Sequence, residues 1–270
     1  RFEDLHAHTV ESFNKAFLKN GRYESLMLSP WDFPDQTAQA LALSSSVVPE
    51  ATRRSVEEAL VYSLRFATGE HVGTGIHGTR YLFPALTQIG HEELAYRLSV
   101  QTTYPGWGYM IAEGATTLWE RWEKIEVEGM NSHNHIMLGS IDAWFYHTIV
   151  GLYPKDTGWQ EIGLCPGRLS EISYAQASCN TPYGEVSMSW ERRREEEELF
   201  VKIYLPCGSS GQLYLNRACE KLIRRDKNVY PKEWILRDEN TGKIVLRAKN
   251  IEHPLPLWSG KHHFVFTYIT

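Results

Sequence analysis

A chain of 270 residues, 42% hydrophobic and 23% charged, has an ordinary globular balance and length enough for two domains. Its formal net charge of −5 argues against nucleic acid or another polyanion as a partner. No apolar run approaches the roughly 20 residues that a membrane-spanning helix needs, which argues against a membrane partner.

The first part reads as helices. Residues 3–19 place Leu5, Val10, Phe13, Ala16, Phe17 and Leu18 near a 3.6-residue period, which predicts an amphipathic helix buried along that stripe. Residues 35–46 open on Asp35, whose short carboxylate suits an N-cap. Residues 50–68 form a further amphipathic segment, with Val56, Ala59, Leu60, Tyr62, Ser63 and Phe66 as its expected apolar side. The pattern continues through 79–89, 91–103, 116–124 and 132–150, joined by short Gly- or Pro-containing connections, with no strand signal among them.

The pattern changes near residue 153. The stretch YPKDTGWQEIGLCPGR, rich in proline and glycine, reads as a linker. Beyond it, SEISYAQAS, GEVSMSW, LFVKIYLP, SGQLYLN, EWILRD, KIVLRA and HHFVFTYI are alternating, β-branched and aromatic runs of about strand length, separated by turn signals. Such regular spacing predicts an antiparallel β-sandwich. The charge run ERRREEEE at 191–198 falls between two strands and reads as a solvated hairpin tip. The expected organisation is therefore a helical domain over 1–153 and a β-sandwich over 154–270.

Chemistry has few places to sit. The chain contains no G-x-S-x-G, no phosphate-binding loop, no H-E-x-x-H and no Cys-x-x-Cys, so neither a nucleophilic serine, a cofactor nor a metal is expected. Cys165, Cys179, Cys207 and Cys219 lack zinc-site spacing and read as two disulfides or, preferably, four thiols. The carboxylates remain, and one stands out. In GATTLWERWE (114–123), Glu120 sits between Trp119 and Trp122. Gly114 ends one helix and a threonine opens the next, which would put both indoles on one side and Glu120 about 100° from Trp119. By that decapeptide alone, Glu120 is an ordinary acid in a first helical turn.

Three neighbouring clusters argue for more. Asn131, Ser132, His133, Asn134 and His135 crowd the start of an apolar helix, where unpaired N–H groups favour anion or hydroxyl ligands. TYPGWGYM (103–110) reads as an aromatic loop punctuated by glycine. His77 lies between glycines and within reach of a pocket, although those glycines also serve turns. For each aromatic and histidine taken singly, packing or capping is the commoner role. Nine tryptophans and fourteen tyrosines also suit sugar faces, and two-carboxylate chemistry on a sugar fits the inventory.

Those clusters, in that order, resemble the C-terminal part of the bacterial-type α-L-rhamnosidases, glycoside hydrolase family 78. The family pattern GATT[IL]WERW corresponds to Gly114 through Trp122, and its S-x-N-H helix start to Ser132-His133-Asn134-His135. Gln36 through Leu41, Gly75–Pro84 and YPGWGYM at 104–110 fit upstream. Ala175 through Ser178 and Thr181 through Gly184 resemble the opening strands of its C-terminal domain, and the likeness fades after about residue 220. The resemblance implies part of an (α/α)6 barrel followed by a β-sandwich. It implies inverting hydrolysis of terminal α-L-rhamnose, without cofactor or metal, from a rhamnose-containing glycoside or polysaccharide. It implies that Glu120 is the general base, that His135 contacts rhamnose, and that Trp107 and Tyr109 line the pocket. The family's general acid lies in a D-x-x-x-R-D-E-R stretch that these residues do not contain. The chain is therefore expected to be a C-terminal portion of an enzyme, or one completed by a second chain. The alternatives are a non-catalytic carbohydrate-binding or scaffolding protein on the same fold, and a hydrolase of a related sugar such as a uronic acid or fucose.

Overall fold

In the computed structural model the described residues are 1–24, 35–124, 132–215 and 231–270. They form two compact units, Arg1–Asp142 and Ala143–Thr270.

The first unit is helical. Helix α1 (Phe2–Phe17) runs into a two-residue hairpin, β1 (Leu18–Lys19) and β2 (Arg22–Tyr23), which the helical reading of 3–19 did not include. Contrary to its amphipathic pattern, α1 has no buried residue, and Leu5 is 60% exposed. Its ties are lateral: Phe13 lies against Phe17 and Tyr23, and the Asn14 side-chain amide donates to the Val47 carbonyl at 2.8 Å. Helix α2 (Gln36–Ser44) starts where its N-cap predicts, with Asp35 Oδ1 accepting from the N–H groups of Thr37 and Ala38 at 2.8 and 3.2 Å.

Two glutamines of α2 are buried because the backbone satisfies them. Gln39 accepts from the Tyr23 N–H at 2.8 Å and donates to the Tyr23 carbonyl at 2.7 Å, clamping the hairpin to the helix. Gln36 accepts from the Gly73 N–H at 2.7 Å and thereby holds the loop that leads to α4.

Helix α3 (Glu50–Tyr62) continues as a π-helical turn, Ser63–Ala67. The wider turn displaces Phe66 from the expected apolar stripe. Val56, Leu60, Ser63 and Leu64 are buried, while Tyr62 and Phe66 pair with each other on the surface, 5.1 Å apart. Helix α4 (Ile76–Gln88) follows, and a Cβ on Gly78 would collide with the Thr37 side chain, so glycine permits the close approach of α2 and α4. Helix α5 (Glu92–Ser99) ends earlier than its pattern suggested. The supposed aromatic loop at 103–110 contains a short helix, α6 (Trp107–Ala112). Residues 115–124 are not helical, which corrects the reading of 116–124. A 3₁₀ turn (Ile136–Ser140), α7 (Ile141–Trp144) and a π turn (Phe145–Val150) make up the apolar helical segment.

The second unit is a sandwich of two sheets. Its strands are β3 (Leu152–Pro154), β4 (Glu161–Leu164), β5 (Tyr174–Thr181), β6 (Gly184–Arg193), β7 (Glu198–Leu205), β8 (Ser210–Leu213), β9 (Glu233–Asp238), β10 (Ile244–Ala248), β11 (Leu255–Leu257) and β12 (Gly260–Ile269). One sheet has the order β10-β9-β12-β7-β6-β5 and is antiparallel throughout. The other, β11-β8-β4-β3, contains a parallel pair, β4 with β8, so the sandwich is not wholly antiparallel. Its β3 and β4 occupy the stretch read as a linker. Glycine there serves close packing: a Cβ on Gly163 would run into the Tyr153 ring.

Side chains from both sheets share one core, with Val186, Met188, Trp190, Val201 and Phe266 from the larger sheet against Leu152, Ile162, Leu164 and Leu213 from the smaller. The charge run turns over between Arg193 and Glu198, which pair across β6 and β7, so it is the hairpin tip that its charge predicted. Cys165, Cys179 and Cys207 are thiols, and Cys219 lies outside the described residues.

Candidate active site

Glu120 lies on a segment with neither helical nor strand assignment, running antiparallel to residues 132–135. The Glu120 N–H donates to the Ser132 carbonyl at 2.8 Å, and the His135 N–H to the Leu118 carbonyl at 2.9 Å. The Thr117 hydroxyl adds a bond to the His133 carbonyl. The Ser132 N–H donates in turn to Glu120 Oε2 at 2.9 Å. One carboxylate oxygen is thus held by backbone, while among the described residues no hydrogen bond reaches Oε1. The side chain is half-buried. A fixed carboxylate with one open oxygen can accept a proton from water or a hydroxyl.

The indoles beside it are floor. Trp119, 3% exposed, stacks on the His133 ring at 4.8 Å. Trp122, also buried, donates its Nε1–H to the Thr74 carbonyl at 2.7 Å and meets Trp107 edge to face at 4.9 Å. Trp107 lies edge-on to Phe83 of α4 at 5.6 Å and donates to the Leu138 carbonyl at 3.3 Å. This aromatic group ties α4, α6 and the 3₁₀ turn beneath the Glu120 segment. Burial of these rings and their N–H bonds to distant carbonyls replace the missing helix.

The named residues therefore fall into two groups. Glu120 and His135 are on paired segments, and His135 Nδ1 faces the Met137 N–H at 3.4 Å, a long cap at the start of the 3₁₀ turn. Trp107 is half-buried in the aromatic floor. Tyr109 pairs with Tyr104, edge to face at 5.3 Å. Tyr104 is half-exposed, and its hydroxyl pKa is raised, first by burial and then by the negative charge of Glu123. His77 is exposed on α4. Sequence reasoning missed two anchors, the Thr74 carbonyl and the Ser132 amide, because a backbone group carries no residue-type signal. Among the described residues no cluster of His, Cys, Asp and Glu could hold a metal ion.

The profile of the bacterial alpha-L-rhamnosidase 6 hairpin glycosidase domain matches residues 1–149, and that of the bacterial alpha-L-rhamnosidase C-terminal domain matches 151–229. The chain belongs to the bacterial α-L-rhamnosidase family. An alpha-L-rhamnosidase of Formosa agariphila is 34% identical over 218 residues, 78% of this chain and 23% of that protein. The structure of alpha-L-rhamnosidase from Dictyoglumus thermophilum superposes with a TM-score of 0.84 at 35% identity, covering 98% of this chain and 29% of that one. The Streptomyces avermitilis alpha-L-rhamnosidase complexed with L-rhamnose gives a TM-score of 0.76 at 29% identity, covering 98% and 24%. The chain thus spans about a quarter of the length of these relatives. Helices followed by a sheet-rich domain is the family's order, as the sequence pattern anticipated.

Proposed function

We propose that this chain supplies the general base and part of the sugar pocket of an inverting α-L-rhamnosidase acting on terminal rhamnose of a glycoside or polysaccharide. The observation that carries the reading is Glu120, held through Oε2 by the Ser132 amide, open at Oε1 and seated on a buried aromatic floor within a family of rhamnosidases. In inversion a carboxylate activates water on the face of the sugar opposite a carboxylic acid about 6.5–9.5 Å away. Ser132 would keep the Glu120 carboxylate aimed while its second oxygen takes the water proton. His135, Trp107 and Tyr109 are proposed to contact the sugar. The general acid comes from outside these 270 residues, since they contain no D-x-x-x-R-D-E-R stretch. A helical domain over 1–153 and a β-sandwich domain over 154–270 remain the proposed division of the chain.

The test is release of p-nitrophenolate from p-nitrophenyl α-L-rhamnoside by the intact protein. Glu120→Gln keeps the shape and removes the base, so kcat should fall by about 10²–10⁴-fold with an unchanged thermal midpoint. Turnover within a few fold of wild type would remove Glu120 from the role. Saturable rhamnose binding without any turnover would favour a binding protein instead.

A further inference from the structure

The larger sheet of the second unit buries one face and presents the other to solvent. Residues two apart on a strand share a face. Register therefore puts Ser187, Tyr204 and Lys261 side by side across β6, β7 and β12, with Ser189, Lys202 and His263 as the adjacent row. The residues between them on β6 and β7, Met188 and Ile203, point into the core. The two rows line a depression of about 510 Å³. That is the size of a small-ligand site, but lined with polar groups where drug-like pockets are apolar.

Its chemistry is specific. Tyr204 remains 37% exposed and offers an aromatic surface between hydroxyl and ammonium groups. Two lysines and a histidine line the depression against one carboxylate, Glu185, in a chain whose net charge is −5. Glu239 lies 3.9 Å from Lys202 Nζ and 3.8 Å from His263 Nδ1, balancing that corner. Lys261 has no ion-pair partner among the described residues. An aromatic surface with hydroxyl donors suits a pyranose ring, and an unpaired ammonium suits a carboxylate on it. A polyphosphate would bring more negative charge than this lining balances.

We propose that this groove binds a short acidic oligosaccharide, with Tyr204 against a ring, Ser187 and Ser189 on its hydroxyls, and Lys261 and Lys202 on a uronate carboxylate. The groove lies within the sheet unit and stands independently of the rhamnosidase reading. Trigalacturonate is the probe and maltotriose the uncharged control, each titrated calorimetrically into the intact protein. Trigalacturonate should bind, maltotriose much more weakly, and added salt should weaken the former. Tyr204→Ala and the double variant Lys202→Gln/Lys261→Gln should each lower affinity about tenfold or more, while Glu120→Gln leaves it unchanged. No binding of trigalacturonate, equal binding of maltotriose, or a loss confined to Glu120→Gln would overturn the proposal. Both lysines are exposed, so the double variant should keep the wild-type thermal midpoint; retained affinity in that folded variant would also overturn it. Rhamnoside turnover on the same samples should be untouched by the groove variants. Its absence from every sample would count against the rhamnosidase reading alone.

Discussion

Trp122 in the helical unit and Trp190 in the sheet unit are both buried, and both donate the indole N–H to main-chain carbonyls. Trp122 bonds to Thr74 at 2.7 Å; Trp190 is shared between Ile149 and Val150 at 3.1 Å each. Their surroundings differ. Trp190 sits in β6 between β5 and β7, where the ladders already satisfy the backbone on either side. Trp122 lies in an irregular segment whose order comes from a few hydrogen bonds to residues distant in sequence and from the indoles themselves. In one unit the tryptophan fills a structure that repetition already specifies. In the other it is what specifies the structure, and the half-buried carboxylate two residues earlier depends on it.

The largest expected effect tests the sheet side. Trp190→Ala removes the largest fully buried side chain of the sandwich core and should cost about 3–5 kcal/mol, read as a lowered unfolding midpoint. A loss under about 1 kcal/mol would mean that the core collapses around the hole and that Trp190 is dispensable. Next, Trp122→Phe keeps a ring but leaves the Thr74 carbonyl without its donor, at a cost of about 1–3 kcal/mol. Its signature should be functional: turnover of the rhamnoside should fall about tenfold or more in protein that is still folded, because the Glu120 segment shifts. If stability drops and kcat does not, Trp122 is core in the same sense as Trp190 and the contrast disappears.

The same contrast explains which parts were legible in the sequence. Strand alternation survives in β5, β6, β7 and β12 because period two is set by the pleat itself. The Asp35 cap was readable because its partners are two and three residues away. The segment 116–124 was not. Tryptophans three apart imitate a helical face, but these are buried by partners as remote as Thr74 and Trp107, and local spacing carries no trace of those. β3 and β4 were hidden by the proline and glycine residues in and between them, which read as turn signals although Gly163 serves close contact under Tyr153. The candidate carboxylate stood out through its motif; the amide that aims it did not.

His135→Ala is a smaller and sharper probe. The 3.4 Å cap to Met137 is long, so its loss should cost well under about 1 kcal/mol of stability. If His135 contacts the sugar, KM should rise severalfold with kcat little changed. An unchanged KM would leave His135 as a cap and nothing else.

The smallest effect concerns how the two units hold their buried or half-buried cations. In the sheet unit Arg192, 2% exposed, donates to the carbonyls of Gly167, Leu169 and Ile172, acceptors that do not titrate. In the helical unit Arg97 of α5 forks onto Glu70 at 2.6 and 2.9 Å, an acceptor that does. The hydrogen bond from Arg97 holds the Glu70 carboxyl below its ordinary range, against the opposing effect of burial. A carboxylate whose folded pKa is lowered stabilises the fold fully above its unfolded value of about 4.3, and that contribution is lost as pH falls through the folded value. Arg97 is 39% exposed, so solvent screening limits the contribution to about 1 kcal/mol or less. Glu70→Gln should therefore lower the midpoint of the helical unit slightly at neutral pH, and the two melting curves should converge in acid. Curves that stay parallel down through the carboxylate range would show that the fork only positions the turn after α3. The helical unit would then rest on its aromatic floor and glutamine clamps, as the sheet unit rests on its core.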